Sequence, residues 1–323
     1  MTSVFCDCYH LPVSAPPSQL IPVIVGPTAS GKSELAIKLA LALDGEIVNL
    51  DSVQVYRGLY IATAKVPLSE QHGVPHHLID IVEPTVNFTA GDYSRTAAQT
   101  IREIEAGNRV AIFAGGTGFY LRALVKPLFE GPRTEIRLRD RLTALRDRFG
   151  PEHLHRLLAR VDPEAATALE PRDWSRTMRA LEVYFQTGRR LSELQPRMAT
   201  PPAFAARVRV ICLNPPRDKL YDVINNRADR MFESGLIEEV QSLIASGVPA
   251  SAKAFQAHGY RRVVEYLQGL RTREDALNQM KLDTRHYAKR QLSWWRGWGD
   301  VKWINRFGDE PEALSEAAAH LES

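Results

Sequence analysis

The chain predicts an α/β fold: a parallel sheet flanked by helices, with an all-helical domain inserted into it. Three observations carry that expectation. The apolar run Leu20–Val25 leads straight into Gly26-Pro27-Thr28-Ala29-Ser30-Gly31-Lys32-Ser33, and a helical segment follows at Glu34–Leu43. This is the strand–G-x-x-x-x-G-K-S/T–helix order of a phosphate-binding P-loop. Short β-rich runs then alternate with helical ones up to about residue 127, the pattern of a parallel sheet with helices on both faces. From 128 to 203 the composition turns Arg/Glu/Leu/Ala-rich, with helical periodicity and no convincing strand.

Taken in order, residues 1–19 are Pro/Ser-containing and unpatterned, and read as a flexible N-terminus. Leu20–Val25 is the first strand and Glu46–Leu50 the second, ending at Asp51. Ala90–Gly107 reads as a helix stopped by Gly107-Asn108. Arg109–Phe113 is a strand entering Gly115-Gly116-Thr117-Gly118. Residues 128–203 form the helical insertion, and Ala206–Leu213 alternates like a strand that returns the chain to the sheet. Helices dominate from Asp218 to about 296, broken near Gly247–Pro249 and at Gly269, and a short strand is expected at Trp303. The core is thus P-loop NTPase-like, built from 20–127 and 204–308. Residues 309–323 form an Ala/Glu-rich, helical tail.

Bulk composition bounds the function. A chain of 323 residues, 44% hydrophobic and 24% charged, can bury a large core and is ordinary for a globular protein. No apolar stretch approaches the roughly 18 residues a membrane span needs, and no secretory leader is visible, so the cytoplasm is the expected compartment and a monomer the default state. The 3 cysteines make no disulfide framework. Cys6, Cys8 and His10 lack a fourth metal ligand and belong to the flexible terminus. The net charge of +3 is small, but arginines concentrate in 133–160, and Lys281, Arg285, Lys289, Arg290 and Arg296 follow one another late in the chain. Arginine clusters suit phosphate backbones, and the interleaved Glu135, Asp140 and Asp147 suit a solvated helix face equally well.

The candidate site is built around the P-loop. Its backbone N–H groups and the start of the next helix cradle a di- or triphosphate, Lys32 adds a cation, and the Ser33 hydroxyl can hold Mg²⁺. Asp51 follows a strand at its carboxyl end, on the ligand side of an open parallel sheet. It can act as general base, as Mg²⁺ partner, as both, or merely cap the next helix. Glycines at 115, 116 and 118 permit close backbone approach, and Thr117 can donate to a phosphate or orient the base. Arg227, on a helix from Leu220 to Ser234, can stabilise a departing diphosphate if that helix passes over the crevice, though an Arg on a helix is by itself more often a surface residue.

Several motifs resemble tRNA dimethylallyltransferases. They are the P-loop, Asp51–Gly58 (Asp-Ser-Val-Gln-Val-Tyr-Arg-Gly), Ala62–Lys65, Pro75–Asp80 and Gly115–Leu121. Arg179–Val183, Gln256–Tyr260 (Gln-Ala-His-Gly-Tyr) and Thr284–Gln291 (Thr-Arg-His-Tyr-Ala-Lys-Arg-Gln) complete the set. The resemblance runs from about residue 21 to 305, in the family's order. It implies a reaction in which dimethylallyl diphosphate gives its five-carbon group to N6 of adenosine-37, beside the tRNA anticodon, and diphosphate leaves. Asp51 is then the base, and Thr117 and Arg227 are catalytic. Gly26, Pro27, Thr28, Ala29, Ser30, Gly31, Lys32 and Ser33 hold the diphosphate, with Mg²⁺ on Ser33. The same resemblance implies tRNA contacts at Asp51, Ser52, Val53, Gln54, Gly118, Ser175, Arg176, Arg179, Gln256, His258, Gly259, Tyr260, Arg285, Lys289 and Arg290.

Three positions depart from the family pattern. Val223 replaces an Arg, His258 an apolar residue, and Trp174 a smaller polar one. A small-molecule kinase would leave the basic 284–291 motif unexplained. A prenyltransferase for free adenine nucleotides would not need the insertion. A non-catalytic RNA-binding module would not need Asp51 and Thr117 at one crevice edge.

Overall fold

The computed structural model describes residues 20–322 except 127, 130 and 195–199. The flexible terminus expected over 1–19, with Cys6, Cys8 and His10, lies outside the described residues. Chain order is β1 (Ile21–Val25), α1 (Lys32–Leu43), β2 (Gly45–Asn49), β3 (His76–His77), α2 (Ala90–Ala106), β4 (Val110–Ala114) and α3 (Gly118–Val125). Next come α4 (Ile136–Phe149), α5 (Pro151–Val161), α6 (Pro163–Thr167), α7 (Trp174–Thr187) and α8 (Leu191–Leu194). The chain closes with β5 (Val208–Leu213), α9 (Arg217–Glu233), α10 (Leu236–Ala245), α11 (His258–Leu267), α12 (Arg273–Arg296), β6 (Lys302–Ile304) and α13 (Pro311–Leu321).

The described residues form two compact units, one within 20–125 and 203–322 and the other within 126–202. In the first, six strands form one sheet in the order β3-β2-β4-β1-β5-β6, parallel throughout, as the alternating pattern predicted. Alternate side chains of each strand point to opposite faces. Val23 and Val25 of β1 join a core with Val48, Phe113, Val210 and the helices α2, α3 and α9–α12. Ile24, Ile47, Ile112 and Ile211 face the other way, onto α1 and α13. Because both faces are covered, β1 is apolar along its whole length and all five of its residues are buried. β3 is a strand that periodicity could not announce: two histidines pair with Ile47 and Val48.

Parallel pairing puts the carboxyl ends of β2, β4, β1 and β5, four neighbours in the sheet, along one edge. The chain leaves β1 for β2 and returns to fill the gap with β4, so this edge is where a parallel sheet opens a ligand crevice. The C-terminal segment closes behind the first of these loops. Gly308 N–H donates to the Ser30 carbonyl at 2.9 Å. The backbones at Gly31 and Gly308 lie so close that neither position has room for a Cβ.

The second unit is all-helical. α4, α5 and α7 pack on Leu142, Leu154, Leu158, Met178 and Leu181. Asp162 caps α6 by accepting from Ala165 N and ties in Ser192 through its other contacts. The carboxylate of Glu182, fully buried, is held bidentately by Arg139 Nε and Nη2 at 2.6 and 3.1 Å.

Candidate active site

The P-loop owes its shape to local backbone geometry. Ala29 and Gly31 take left-handed φ values of 64° and 83° and alternate with their neighbours to form a concave run of amides. Gly26 is extended the opposite way, φ 141°, and lies against the backbone of Leu213, so only glycine fits there. The Ser30 hydroxyl is buried and has no protein partner. An unpaired buried hydroxyl in an anion cradle is a donor waiting for an acceptor. Lys32 turns its ammonium onto the Pro27 carbonyl at 2.6 Å. Burial lowers its pKa to about 8; Asp51 opposes that shift and Arg227 adds to it.

Asp51 is positioned by Asn49. The Asn49 amide donates to Asp51 O and to Leu78 O, each at 3.0 Å, and its Oδ1 accepts from Asp51 N at 2.9 Å. The Asp51 carboxylate accepts from Val53 N through Oδ1 at 2.8 Å, a short turn that leaves its second oxygen clear of that bond. Thr117 is tied to the same loop. Its N–H donates to Leu50 O at 3.0 Å and its Oγ1 accepts from Ser52 N at 3.0 Å. Asp51 and Thr117, read separately from two strand ends, thus meet.

Arg227 is half-buried on α9; burial lowers its pKa and the charge of Asp51 offsets part of that. Tyr287 of α12 approaches the same place, lining one cavity with Thr117 and the other with Gln291. Burial first, then the Asp51 charge, raises its pKa, so the phenol stays neutral. Two cavities open around these groups. One, about 1330 Å³, contains the P-loop from Thr28 to Ser33 with Gly115, Gly116 and Gln291. The other, about 520 Å³, is lined by apolar groups including Val53, Tyr56, Phe88, Tyr120, Ile224, Met231 and Met280. Thr28, Ala29, Asp51, Thr63, Arg227 and Tyr287 line both. The carboxylate therefore stands where a polar anion cradle meets an apolar pocket.

Among the described residues no group of three or more His, Cys, Asp or Glu side chains could hold a metal unaided. The donors present at the cradle, the Ser33 hydroxyl and the Asp51 carboxylate, are what Mg²⁺ uses when phosphate oxygens and water complete its octahedron. The residues fit a cation that arrives with a phosphorylated ligand.

The other predicted positions divide. Ser52, Val53, Gln256, His258 and Gly259 line the smaller cavity with Asp51 and Thr117, and Gln54 lines the larger. Gln54 also donates to Thr63 O at 3.0 Å. Gly118 opens α3, packed against the Trp294 indole. The Tyr260 ring is fully buried, and its hydroxyl donates to Glu239 at 2.6 Å while accepting from Ala62 N. It supports the wall and does not project from it. Arg285 stacks over Tyr221, Lys289 is exposed, and Arg290 reaches His258 Nε2 at 3.3 Å. Burial first, then Arg290, lowers the His258 pKa, which keeps the ring neutral against Tyr287.

Ser175, Arg176 and Arg179 belong to the helical unit. Ser175 and Arg176 are exposed, and Arg176 pairs with Asp173. Arg179 is engaged by Glu182 and by Pro132 O. Trp174 lies exposed beneath the Arg146 guanidinium, and Val223 sits exposed on α9.

Sequence reasoning missed Asn49, Tyr287 and Gln291 as site residues. The last two stand one helical turn apart, a spacing that puts them on one face of α12.

The model of the family described as IPP transferase matches residues 54–298. The chain belongs to the IPP transferase family. It is 46% identical to the tRNA dimethylallyltransferase of Solibacter usitatus, over 91% of this chain and 95% of that one. It is 43% identical to that of Koribacter versatilis, over 92% and 96%. Among solved structures, the tRNA isopentenylpyrophosphate transferase of Bacillus halodurans superposes with a TM-score of 0.68 at 37% identity, over 94% of this chain and 97% of that one. A eukaryotic dimethylallyltransferase, described as acting on tRNA, gives a TM-score of 0.75 at 28% identity, over 89% and 74%. The family resemblance inferred from scattered motifs thus extends over the whole described core. No helix among the described residues of this IPP transferase is long and apolar enough to cross a membrane.

Proposed function

We propose that this IPP transferase moves the dimethylallyl group of dimethylallyl diphosphate to N6 of adenosine-37 in tRNA, giving N6-isopentenyladenosine and diphosphate. One observation carries the reading beyond family membership. Asp51 and Arg227 line both the anion cradle and the apolar pocket, so a diphosphate, a five-carbon chain and a base can meet at one carboxylate.

The reaction joins N6 to C1 of the prenyl group and breaks the bond from C1 to the diphosphate oxygen. The exocyclic amine is poorly basic, and Asp51 takes its proton as the bond forms, help worth about 10²–10⁴-fold. Thr117 holds the Asp51–Ser52 turn in place through the Ser52 amide. Negative charge grows on the departing diphosphate, where the P-loop amides, the Ser30 hydroxyl, Lys32 and Arg227 receive it. Preorganised donors of this kind are worth on the order of 10²–10³ in rate each. Ser33 and the diphosphate oxygens would hold Mg²⁺, which supplies further positive charge to the leaving group. The target base must leave its stack to enter the pocket, at a cost of a few kcal/mol that an anticodon loop keeps small. Ser52, Val53, Gln256 and His258 serve its recognition, and Arg285, Lys289, Arg290, Ser175, Arg176 and Arg179 the tRNA backbone. The working form on this reading is a cytoplasmic monomer.

The test incubates the protein with Mg²⁺, labelled dimethylallyl diphosphate and tRNA lacking the modification, beside tubes containing AMP or ATP. Label enters tRNA and falls by about 10²-fold or more in Asp51→Ala, with tRNA affinity retained. Label in AMP alone would sink the tRNA assignment. ATP consumption with no label transferred would make the protein a kinase.

A further inference from the structure

We infer that Gln291 is a positioning residue that locks the anion cradle to the loop carrying Thr117, so that one buried amide sets the geometry of both. Its side-chain carbonyl accepts from the backbone N–H of Thr28 in the P-loop at 2.8 Å. Its amide nitrogen donates to the carbonyl of Gly116 at 3.1 Å. The two loops follow β1 and β4, neighbouring strands whose pairing ends at Ile24 and Ala114. Beyond that point no ladder bond holds them in register, and the Gln291 amide takes its place. The inference deepens the prenyl-transfer reading and rests on it for its kinetic arm.

Three further observations point the same way. Gln291 is buried, and its bond to Gly116 is made away from water, where an unmade one is costly. The Gln291 amide nitrogen occupies the space that a Cβ on Gly116 would need, so the glycine is required by this strut. Tyr287, one turn earlier on α12, lines one cavity with Thr117 and the other with Gln291. The same helix face thus touches Thr28 and Gly116 and faces the cavity that Thr117 lines.

The chemistry singles out an amide. Thr28 offers a donor and Gly116 an acceptor, and glutamine answers both without charge. The opposite amide orientation would oppose donor to donor and acceptor to acceptor, so the two partners fix it. A carboxylate could accept from Thr28 but could not donate to Gly116, and it would set a negative charge beside an anion site. With the Thr28 amide already engaged, the loop's curvature is set before ligand arrives. Binding energy is then not spent on ordering it.

The experiment compares Gln291→Met, which keeps the volume, with Gln291→Glu, which keeps the shape. Binding of inorganic diphosphate with Mg²⁺ is measured by calorimetry, and kcat and KM for prenyl transfer in parallel. Gln291→Met is expected to weaken diphosphate binding and to lower kcat at saturating substrates, each by about tenfold or more, as the Thr28 N–H and the buried Gly116 carbonyl lose their partner. Binding of tRNA should change less than about twofold. Gln291→Glu is expected to match that loss near pH 8.5 and to recover relative to wild type as the pH falls towards about 6. A protonated carboxyl supplies the missing donor while its carbonyl still accepts. Wild-type diphosphate binding and kcat in Gln291→Met would overturn the proposal. So would a flat pH ratio for Gln291→Glu, which decides alone if the Met variant does not fold. A wild-type protein that binds diphosphate but transfers no prenyl group would overturn the prenyl-transfer reading, and the calorimetry would still decide on Gln291.

Discussion

Lys32 shows how a single half-buried charge makes ligand binding depend on pH. Its ammonium lies under the P-loop, and burial lowers its pKa to about 8 from 10.5. A bound diphosphate places negative charge beside it and raises that value again. Below pH 8 the free protein already carries the proton, and binding needs none. Above pH 8 the free side chain is neutral, so binding must take up a proton and affinity for inorganic diphosphate falls as pH rises. Calorimetry in buffers of different ionisation heat should show proton uptake near pH 9 and none from this group near pH 7. The same shift acts on the ligand-free fold. Between 8 and 10.5 the unfolded chain binds more protons at this site than the folded one, so Lys32 makes stability rise with pH across that window.

Among the elements, α12 is the one that shapes the crevice. Its side chains fill the spaces left by two glycines of the Gly115–Gly118 turn: Gln291 against Gly116 and Trp294 against Gly118. The third, Gly115, lies against the backbone of Leu50, which cannot move aside without breaking the Thr117 N–H bond to Leu50 O. The three glycines should therefore respond differently to a methyl group. Gly118→Ala should cost about 1–3 kcal/mol in urea unfolding, and Trp294→Leu should recover part of it in a double-mutant cycle. Gly115→Ala should lose more, and no change in α12 should restore it. Equal costs at Gly115 and Gly118, both insensitive to position 294, would contradict this account. A Gly-Gly-x-Gly string announces close approach, but what approaches is decided by a helix far along the chain.

The whole molecule consists of two units whose cores share no described cluster. The helical unit is held in part by the buried Glu182 carboxylate, to which Arg139 gives two bonds and Arg179 a longer one at 3.5 Å. Removing the main partner of a buried charge is severe because the remaining charge has lost its solvent as well, typically about 3–5 kcal/mol. Arg139→Met should thus loosen residues 126–202, seen as faster amide hydrogen exchange confined to that unit. Diphosphate binding should persist and tRNA affinity should fall. Loss of diphosphate binding together with tRNA binding would mean that the units do not fold separately.

The sequence by itself determined the fold class, the P-loop and the two strand-end residues, Asp51 and Thr117. These follow from local rules: a period of two or 3.6, glycines where backbone must turn, and parallel strands whose carboxyl ends face one way. It also marked Thr284–Gln291 as belonging to the family and, on that resemblance, gave tRNA contacts to Arg285, Lys289 and Arg290, but it gave no role to Tyr287 or Gln291. Only the tertiary structure decided that Tyr260 turns inward to Glu239, that Asn49 holds Asp51, and that the C-terminal Gly308 braces Ser30. It likewise brought Gln291 to Thr28 across 263 positions of chain. A buried hydrogen bond between distant residues leaves no periodicity and no composition, because either partner alone is an ordinary polar side chain on an ordinary helix or loop. Packing brings the two groups together, and the cost of leaving either one unpaired away from water then holds them there.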